Sequence, residues 1–427
     1  MRSWREAFTD YLDLRVARIL FLGFSSGLPL LLVYSTLSAW LKEEGVTKTA
    51  IGLFAWANTA YSFKFLWSPL IDRVSLPLLA GWLGRRRSWM LVSQLAVAGS
   101  ILGLGLTHPG TNLWATALWS VVLAAASATQ DIVIDAYRVE SLAVDQLGAG
   151  AANNTFGYRI GMLVAGGGCL LIADQLDWHA AYVVMAVLMG VGILTTLVIP
   201  EPAPSAAIKR QGQALSAAIL EPLIDFFRRP SWLLILGFVA LYRYSDALLG
   251  VMANPFYLEI GFSKTEIGLV SKVYGTIMTI VGTFLGGLIY SRMGMMRSLM
   301  IAGVAQAASN LFFVVLAVQG HSLSLLTLTI SVENLAGGLA GAVFVAYLSS
   351  LCNVAYTATQ YALLSSAAAV ARTIFSSGGG WLADHVTWPV FFLITTAAGI
   401  PCLVLLVVLM RRFPSEGKAE ELVADHD

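Results

Sequence analysis

Residues 18–40 read RILFLGFSSGLPLLLVYSTLSAW, an apolar stretch whose only charged side chain is the first. The hydrocarbon core of a bilayer is about 30 Å thick, so a helix that crosses it needs roughly 20 mostly apolar residues. The stretch therefore predicts a membrane-spanning helix. It is too long for the apolar part of a signal peptide, and no small-residue cleavage site follows it, so we expect it to be retained as the first span.

Similar apolar stretches recur along the chain, which is 57% hydrophobic and only 12% charged and has a mean hydropathy of +0.75. They are continuous runs rather than short segments of alternating polarity, which favours helices over a β-barrel. We therefore predict an all-α membrane protein with twelve spans. The predicted spans are 18–40, 48–68, 88–107, 112–136, 148–173, 178–199, 231–257, 264–290, 297–318, 322–350, 358–383 and 387–410. Glycines spaced four residues apart predict close helix packing in four of them, at Gly23 and Gly27, Gly157 and Gly161, Gly282 and Gly286, and Gly337 and Gly341.

The distribution of Lys and Arg predicts how these spans are oriented. Twelve spans place both ends of the chain on one side of the membrane. The N-terminus, the even-numbered loops and the C-terminus together carry 18 basic residues, whereas the odd-numbered loops carry 3. Because basic loops stay on the cytoplasmic side, both termini are predicted to face the cytoplasm. With basic residues at the very ends of spans counted in the adjoining loops, five lie within spans: Lys64, Arg159, Arg243, Lys272 and Arg372.

The longest break between spans, residues 201–230, divides them six plus six. It is rich in Pro, Ala and charge and is typical of a cytoplasmic linker, with a short surface helix expected around residues 214–227. The predicted parts are a six-helix bundle at 1–200, the linker at 201–230, a second six-helix bundle at 231–410 and a cytoplasmic tail at 411–427.

Two sequence echoes relate the halves. KTAIGL at residues 48–53 recurs as KTEIGL at 264–269. Arg159 is followed by three glycines and an aspartate, and so is Arg372. Two similar halves around a central site are the layout of major facilitator transporters, so the echoes favour that architecture.

Charged side chains near the middle of a span are costly unless they face a cavity or a partner. At about 1.5 Å per residue, Arg159 and Arg372 lie roughly 16 Å from the nearer ends of their spans. Glu333 is similarly deep from the outer end of its span. These depths predict that all three side chains line a polar cavity or form ion pairs between helices.

The seventh span adds Arg243 and Asp246, which are three residues apart and share one helical face. Lys272, in the eighth span, lies nearer the outside. Basic side chains at the midplane outnumber Asp246 and Glu333, and this excess favours an anionic substrate. The alternative is that these charges only pair with one another.

The fourth span ends in QDIVIDAYR at residues 130–138, where Asp131 and Asp135 share a helical face. A carboxylate in a low-dielectric region can bind and release a proton as the cavity opens to each side, so Asp131 is a candidate for proton coupling. Asp135 and Arg138 are predicted to form an ion pair that closes the cytoplasmic gate. Lys64 lies about one helical turn from the cytoplasmic end of its span and either reaches the cavity or extends towards the interface.

The loop after the second span contains Asp72-Arg73 and then Gly84-Arg85-Arg86-Arg87, separated by residues 74–83. It is similar to the signature loop of major facilitator proteins, and the resemblance implies that these residues control conformational exchange rather than substrate choice.

Several other classes of function are disfavoured. The cysteines, Cys169, Cys352 and Cys402, lie in apolar stretches without metal-ligand spacing, so neither a metal nor a disulfide framework is expected. The chain has no phosphate-binding loop, which disfavours an ATP-driven pump, and we expect no cofactor. A net charge of +1 points to no nucleic-acid partner. A monomer surrounded by membrane lipid is the default expectation.

Longer strings resemble the AmpG-type muropeptide permeases of bacterial inner membranes, over about residues 15–385. The matching strings are GFSSGLPL at 23–30, FKFLWSPLIDR at 63–73, GRRR at 84–87, QDIVIDA at 130–136, GYRIGML at 157–163, ENL at 333–335 and ATQYALL at 358–364. The resemblance implies proton-coupled import of N-acetylglucosaminyl-1,6-anhydro-N-acetylmuramyl peptides, which are anionic glycopeptides, for peptidoglycan recycling and β-lactamase induction, and hence a part in antibiotic resistance.

The candidate site residues follow from both lines of argument. For substrate binding they are Arg159, Arg243, Glu333, Asn334, Arg372, Gln130, Lys64 and Lys272. For proton coupling they are Asp131 and Asp246, and for gating Asp72, Arg73, Arg85, Arg86, Arg87, Asp135 and Arg138. Three alternatives stay open: a transporter of another anionic amphiphile, such as an acyl-coenzyme or siderophore-like molecule; a membrane-embedded enzyme, disfavoured because no nucleophile and base pair is evident; and a sensor that does not transport.

Overall fold

A computed structural model describes residues 9–33, 35–46, 50, 54, 59–202, 221–222, 224–263, 266–353 and 356–412. Within these ranges the side chains of residues 59, 251, 254, 272, 373–378 and 380–381 are not described. All regular secondary structure in the described part of the chain is helical.

Six helical segments precede the linker. They are α1 (Leu14–Val33, then Ser35–Glu43), α2 (Thr59–Phe63, a 3₁₀ turn Lys64–Leu66, then Ser68–Arg73), α3 (Arg85–Gly105), α4 (Leu113–Ser141), α5 (Leu147–Leu163, a π-helical turn Val164–Gly168, then Cys169–Gln175) and α6 (Trp178–Leu188, then Gly190–Val198). Residues Leu79–Leu83 form a short helix between α2 and α3.

Six more follow the linker. They are α7 (Trp232–Leu241, then Tyr244–Glu259), α8 (a π-helical stretch Ile267–Tyr274, then Gly275–Met293), α9 (Met295–Gln319), α10 (Leu323–Ser350), α11 (Thr357–His385) and α12 (Trp388–Ala397, then Ile400–Arg412). Residues 221–222 and 224–227 are also helical, at the end of the predicted linker helix, whose residues 214–220 and 223 lie outside the described ranges.

Ten of these helices are long and apolar enough to cross a membrane, and they coincide with ten of the predicted spans. In the predicted span 48–68, residues 48–49, 51–53 and 55–58 fall outside the described residues. The predicted span 358–383 is the 29-residue helix α11, which at about 1.5 Å per residue is long enough to cross but is rich in Ser, Thr and Gly. The all-α membrane fold is therefore confirmed.

Contacts divide the described chain into two units. The first unit comprises Thr9–Phe226 together with Leu348–Ser366, and the second comprises Phe227–Tyr347 together with the described residues from Ala367 onward. The first unit thus includes the end of α10 and the start of α11. Each unit has its own apolar core, with Trp40 and Tyr182 in the first and Phe256 and Phe313 in the second.

The start of α3 and the start of α9 show the same backbone device. Gly84 precedes α3 with φ +84° and Gly294 precedes α9 with φ +75°, a left-handed conformation that favours glycine. Further along the second half, Ser263 and Glu266 form a capping box before α8, in which each backbone N–H donates to the other residue's side chain. The bond from the Ser263 N–H keeps the pKa of Glu266 below its usual range, so this carboxylate stays ionised at neutral pH.

Glycines allow α1 and α5 to pack backbone against backbone. A Cβ atom added at Gly23 or Gly27 would lie within 3.0 Å of backbone atoms of α5, and one added at Gly157 or Gly161 would lie within 3.0 Å of α1. Since both surfaces are backbone, neither can move aside as a flexible side chain would. The predicted close packing at these two glycine pairs is confirmed.

In the second unit, the glycine contacts agree with the sequence on α8 but not on α10. Gly282 and Gly286 approach the backbone of α10 closely, as predicted. The prediction of close packing at Gly337 and Gly341 was wrong. A Cβ at Gly337 would meet open space and one at Gly341 would meet only the Arg243 guanidinium, whereas Gly338 is the α10 glycine against the α8 backbone.

Gly157→Ala is expected to destabilise the protein by at least about 2 kcal/mol, because the added methyl group must push α1 and α5 apart. Gly167→Ala, in the π-helical turn of the same span, is the matched control, since a Cβ there meets nothing within 4 Å. Thermal unfolding of both variants in detergent measures the difference, and equal melting temperatures would contradict the packing argument.

Candidate functional site

Asp72, at the end of α2, is a buried carboxylate that joins two distant parts of the first unit. Its Oδ1 accepts a hydrogen bond from Arg86 Nη2 at 2.7 Å. It also accepts bonds from the backbone N–H groups of Ala358 and Thr359 at 3.1 and 2.8 Å and from the Thr359 hydroxyl at 2.7 Å. The negative charge therefore caps the N-terminus of α11, where the helix dipole and its free N–H groups favour an anion.

Arg86 collects the remaining charges at this end of the unit. Its side chain is 1% exposed and donates to Glu140 at 2.5 and 2.9 Å as well as to Asp72. The Arg86 backbone N–H donates to Glu201 at 2.8 Å, and Arg85 Nη1 donates to the backbone carbonyl of Asp72. We call Asp72, Arg85, Arg86, Glu140 and Glu201 the Asp72 cluster. The sequence predicted its first three members and missed both glutamates, although each lies within four residues of the end of a predicted span.

The other two arginines of the signature loop bind elsewhere. Arg87 donates to the carbonyls of Thr196 and Leu197, at 2.9 and 2.7 Å, which are free acceptors in the last turn of α6. Arg73 is 2.7 Å from Glu221 at the end of the linker.

A second group of charges lies along α4. Asp131 accepts a hydrogen bond from the Ser26 hydroxyl on α1, and Lys64 and Asp135 are close enough to interact with it electrostatically. Asp135 lies between two cations, with Lys64 Nζ at 3.8 Å and Arg138 Nη2 at 3.2 Å. Among the described residues Asp131 itself has no ion-pair partner. We call these five residues the Asp131 cluster.

Arg138 and Gln130 are both fully buried on α4. Arg138 donates to the Ser349 hydroxyl at 3.3 Å, and its guanidinium lies 5.3 Å from the centre of the Tyr361 ring, a cation–π distance. It therefore contacts both the end of α10 and the start of α11. Neither amide atom of Gln130 has a hydrogen-bond partner among the described residues, so this side chain is available to a polar group.

The predicted midplane charges of the second unit come together on α7, α10 and α11. Arg243 donates through Nη2 and Nε to Asp246 Oδ2, at 2.5 and 3.2 Å. Arg243 also interacts electrostatically with Glu333, and Asp246 interacts with Arg372. Asn334 donates to Glu333 and accepts from the Thr279 hydroxyl at 2.7 Å. The group of Arg243, Asp246, Glu333, Asn334 and Arg372 is called the Arg243 cluster.

The remaining predicted binding residues differ in what the structure shows. Arg372 is exposed, whereas the Arg243 and Asp246 side chains are only 30% and 14% exposed. Arg159 is half-buried on α5 in the first unit. The side chain of Lys272 lies outside the described part of the structure. Arg243 pairs with Asp246 within α7, whereas the predicted alternative was an ion pair between helices, and Arg372 is the exposed cation of this cluster.

A double-mutant cycle should detect the Arg243–Asp246 pair. Arg243→Gln and Asp246→Asn are each expected to destabilise the protein by about 2 kcal/mol, because each leaves a largely buried charge without its partner. The double variant should lose less than the sum of the two, since no unpaired charge is left. Thermal unfolding of the four proteins gives the coupling energy, and strictly additive losses would contradict the pairing.

Comparisons with known proteins give consistent matches. The Major Facilitator Superfamily model matches residues 19–376 and 239–425. The chain is 41% identical over 397 residues to the anhydromuropeptide permease of Escherichia coli K12, covering 92% of this chain and 79% of that protein. It is 34% identical over 411 residues to the putative transporter AmpG 4 of Rickettsia conorii, covering 95% and 98%.

Solved structures match at the level of the fold. The transporter FucP in its outward conformation superposes with a TM-score of 0.68 at 14% identity, covering 93% of this chain and 99% of that chain. The proton:xylose symporter XylE superposes with a TM-score of 0.63 at 15% identity, covering 95% of both chains. Since both identities are low, these matches concern the arrangement of helices alone.

Proposed function

This chain belongs to the Major Facilitator Superfamily, and we propose that it imports anhydro-muropeptides from the periplasm into the cytoplasm together with protons. It is a multi-pass protein of the inner membrane, and the resemblance to the AmpG-type permeases is confirmed along 92% of the chain. The proposal extends to peptidoglycan recycling and, through it, to β-lactamase induction. The observation that carries it is the 41% identity to a protein named for this substrate.

The Arg243 cluster supports an anionic substrate. Arg372 is an exposed cation in a helix long enough to cross the membrane, and a guanidinium can bind a carboxylate through two parallel hydrogen bonds. In the first unit, the Gln130 amide has both a donor and an acceptor unused among the described residues. Such an amide complements a neutral polar group, such as the N-acetyl group of an amino sugar.

The Asp131 cluster supports proton coupling. Asp131 has a hydroxyl donor in Ser26 and a cation nearby in Lys64, while Asp135 is held by Lys64 and Arg138. A carboxylate without an ion-pair partner in the described structure can change protonation without breaking one. We therefore assign the proton to Asp131 and a gating role to Asp135 with Arg138.

The Asp72 cluster supports a gate. It ties the end of α2 and the start of α3 to the start of α11, through contacts that separation of these segments would break. The excess of Lys and Arg in the even-numbered loops supports placing this end in the cytoplasm.

Uptake into proteoliposomes tests the proposal. We expect purified protein to accumulate radiolabelled anhydro-muropeptide only when an inward proton gradient is imposed. An acyl-coenzyme substrate and empty liposomes serve as controls. Absence of muropeptide uptake by folded protein would overturn the substrate assignment, and uptake of the acyl-coenzyme in its place would favour the alternative of another anionic amphiphile.

A further inference from the structure

The end of the linker is bound to the first unit by a carboxylate that bridges two segments. Glu221 Oε2 is 2.7 Å from Arg73 Nη2, at the end of α2. The same oxygen accepts a hydrogen bond from the Tyr356 hydroxyl at 3.2 Å, immediately before α11. One oxygen of the linker therefore holds together the two segments that the Asp72 cluster also joins.

A second linker carboxylate, Asp225, binds the connection between α10 and α11. Its Oδ2 accepts from Gln360 Nε2 at 2.7 Å and its Oδ1 accepts from Asn353 Nδ2 at 3.2 Å. Gln360 also donates to the Pro222 carbonyl at 3.2 Å and accepts from the Asn353 N–H at 2.7 Å. Both polar atoms of the Gln360 side-chain amide thus have hydrogen-bond partners, although the residue is fully buried.

We call these contacts, made by Glu221 and Asp225 with Arg73, Asn353, Tyr356 and Gln360, the linker latch. Its position in the chain gives it a mechanical consequence. Only residues 226–231 separate Asp225 from Trp232, the first residue of α7, and six residues span at most about 22 Å. A change at the α10–α11 connection is therefore passed to the start of α7 through a short tether.

We propose that the linker latch is a second lock on the cytoplasmic gate, separate from the Asp72 cluster, and that Glu221, Asp225 and Gln360 are positioning residues of the transport cycle. This inference rests on the proposed function, because a lock matters only in a protein that alternates between two states. A linker that served only as a connector would need no contacts to both α2 and α11. Here Glu221 binds Arg73 at the end of α2 and Tyr356 immediately before α11, so separating these segments breaks the latch.

The native thiol Cys352 gives a direct readout of the latch, because it neighbours Asn353 and is half-buried, while Cys169 and Cys402 are fully buried. In full-length protein carrying Cys169→Ser and Cys402→Ser, the alkylation rate of Cys352 by N-ethylmaleimide reports opening of this segment. Glu221→Gln and Asp225→Asn are each expected to raise that rate about tenfold, since each weakens hydrogen bonds to a charged group.

Glu266→Gln is the matched control, because it also removes a hydrogen-bonded carboxylate, but in the loop before α8. It should leave the Cys352 rate unchanged. Unchanged rates in both latch variants, in folded protein that transports normally, would overturn the inference. The alkylation rate is measured without substrate, so it tests the latch separately from transport. A raised rate in protein that takes up no muropeptide would contradict the proposed function but support the latch.

Cross-linking keeps the test decisive where a latch variant folds poorly. Asp225→Cys and Asn353→Cys, in a background without the native cysteines, place two thiols where hydrogen-bonded side chains stood. A short bis-methanethiosulfonate, which joins the two thiols through disulfide bonds, should then lower muropeptide uptake at least about tenfold, as expected when a lock can no longer open. Reduction of the cross-link should restore uptake, and each single-cysteine variant should be unaffected by the reagent. Full uptake by cross-linked protein would contradict the latch.

Discussion

Asp72→Ala is expected to reduce uptake at least about 100-fold. The substitution removes the Asp72 partner from Arg86, which is 1% exposed, and takes the acceptor from two backbone N–H groups and a hydroxyl at the start of α11. Removing one partner of a buried ion pair costs about 3–5 kcal/mol, and each 1.4 kcal/mol corresponds to a tenfold change in an equilibrium. The gated state should therefore lose its advantage over the open one.

Variants at the same position and a nearby control sharpen this test. Asp72→Asn keeps the size but loses the charge and should be nearly as damaged, whereas Asp72→Glu keeps the charge and should recover part of the uptake. Asp13→Ala removes another carboxylate of the first unit, one that accepts from Gln146 at 2.8 Å outside the buried cluster, and should cost no more than about 1 kcal/mol. Uptake by folded Asp72→Ala within a factor of about two of wild type would contradict the gating role.

Asp131→Asn is expected to separate transport from the proton gradient. The asparagine keeps the shape of the aspartate side chain and can still accept a hydrogen bond from Ser26. Its amide cannot bind and release a proton as the carboxylate does. An imposed gradient of about one pH unit is worth 1.36 kcal/mol per proton, enough for about tenfold accumulation by a one-proton symporter. The variant should accumulate no substrate above the external concentration. Vesicles preloaded with unlabelled substrate should still exchange it for external labelled substrate by counterflow.

Asp135→Asn is the matched comparison for this experiment. It should weaken the contacts with Lys64 and Arg138, which affects the rate, but leave gradient-driven accumulation in place. If Asp131→Asn still accumulates substrate tenfold, the importer stands and the coupling moves to Asp246 or Glu333.

Sequence patterns predicted the helices well because a membrane span is a local property, readable from about twenty neighbouring residues. They also placed Asp72 and Arg86 in one functional loop. They did not predict the partners that the fold brings from far along the chain, such as Thr359 for Asp72 or Glu140 for Arg86. These pairings depend on how helices meet, which no short pattern contains.

The wrong prediction of packing at Gly337 has a similar origin, because it depends on which face of α10 meets α8. The choice of Gly337 in place of Gly338 is a shift of one residue, which turns a helical position by about 100° and moves it from the contact to open space. The Ser-x-x-Glu pattern at Ser263 and Glu266, by contrast, fixes its geometry within four residues and appears as a complete capping box. Long-range contacts need the tertiary structure, whereas caps and spans do not.

The capping of α11 by Asp72 also bears on how the protein is made. The aspartate and the N–H group of Ala358 that it accepts from are 286 residues apart, so at about 5–20 residues per second the ribosome takes roughly 15 to 60 s to deliver the helix to its cap. In the folded protein the carboxylate pairs with Arg86, and Arg86 pairs with Glu140; all three residues are synthesised well before α11. The charged acceptor for the first turn of α11 is therefore already made when that helix, with its many Ser, Thr and Gly residues, leaves the translocon. The capping of a helix in the last sixth of the chain thus depends on a residue synthesised in the first fifth.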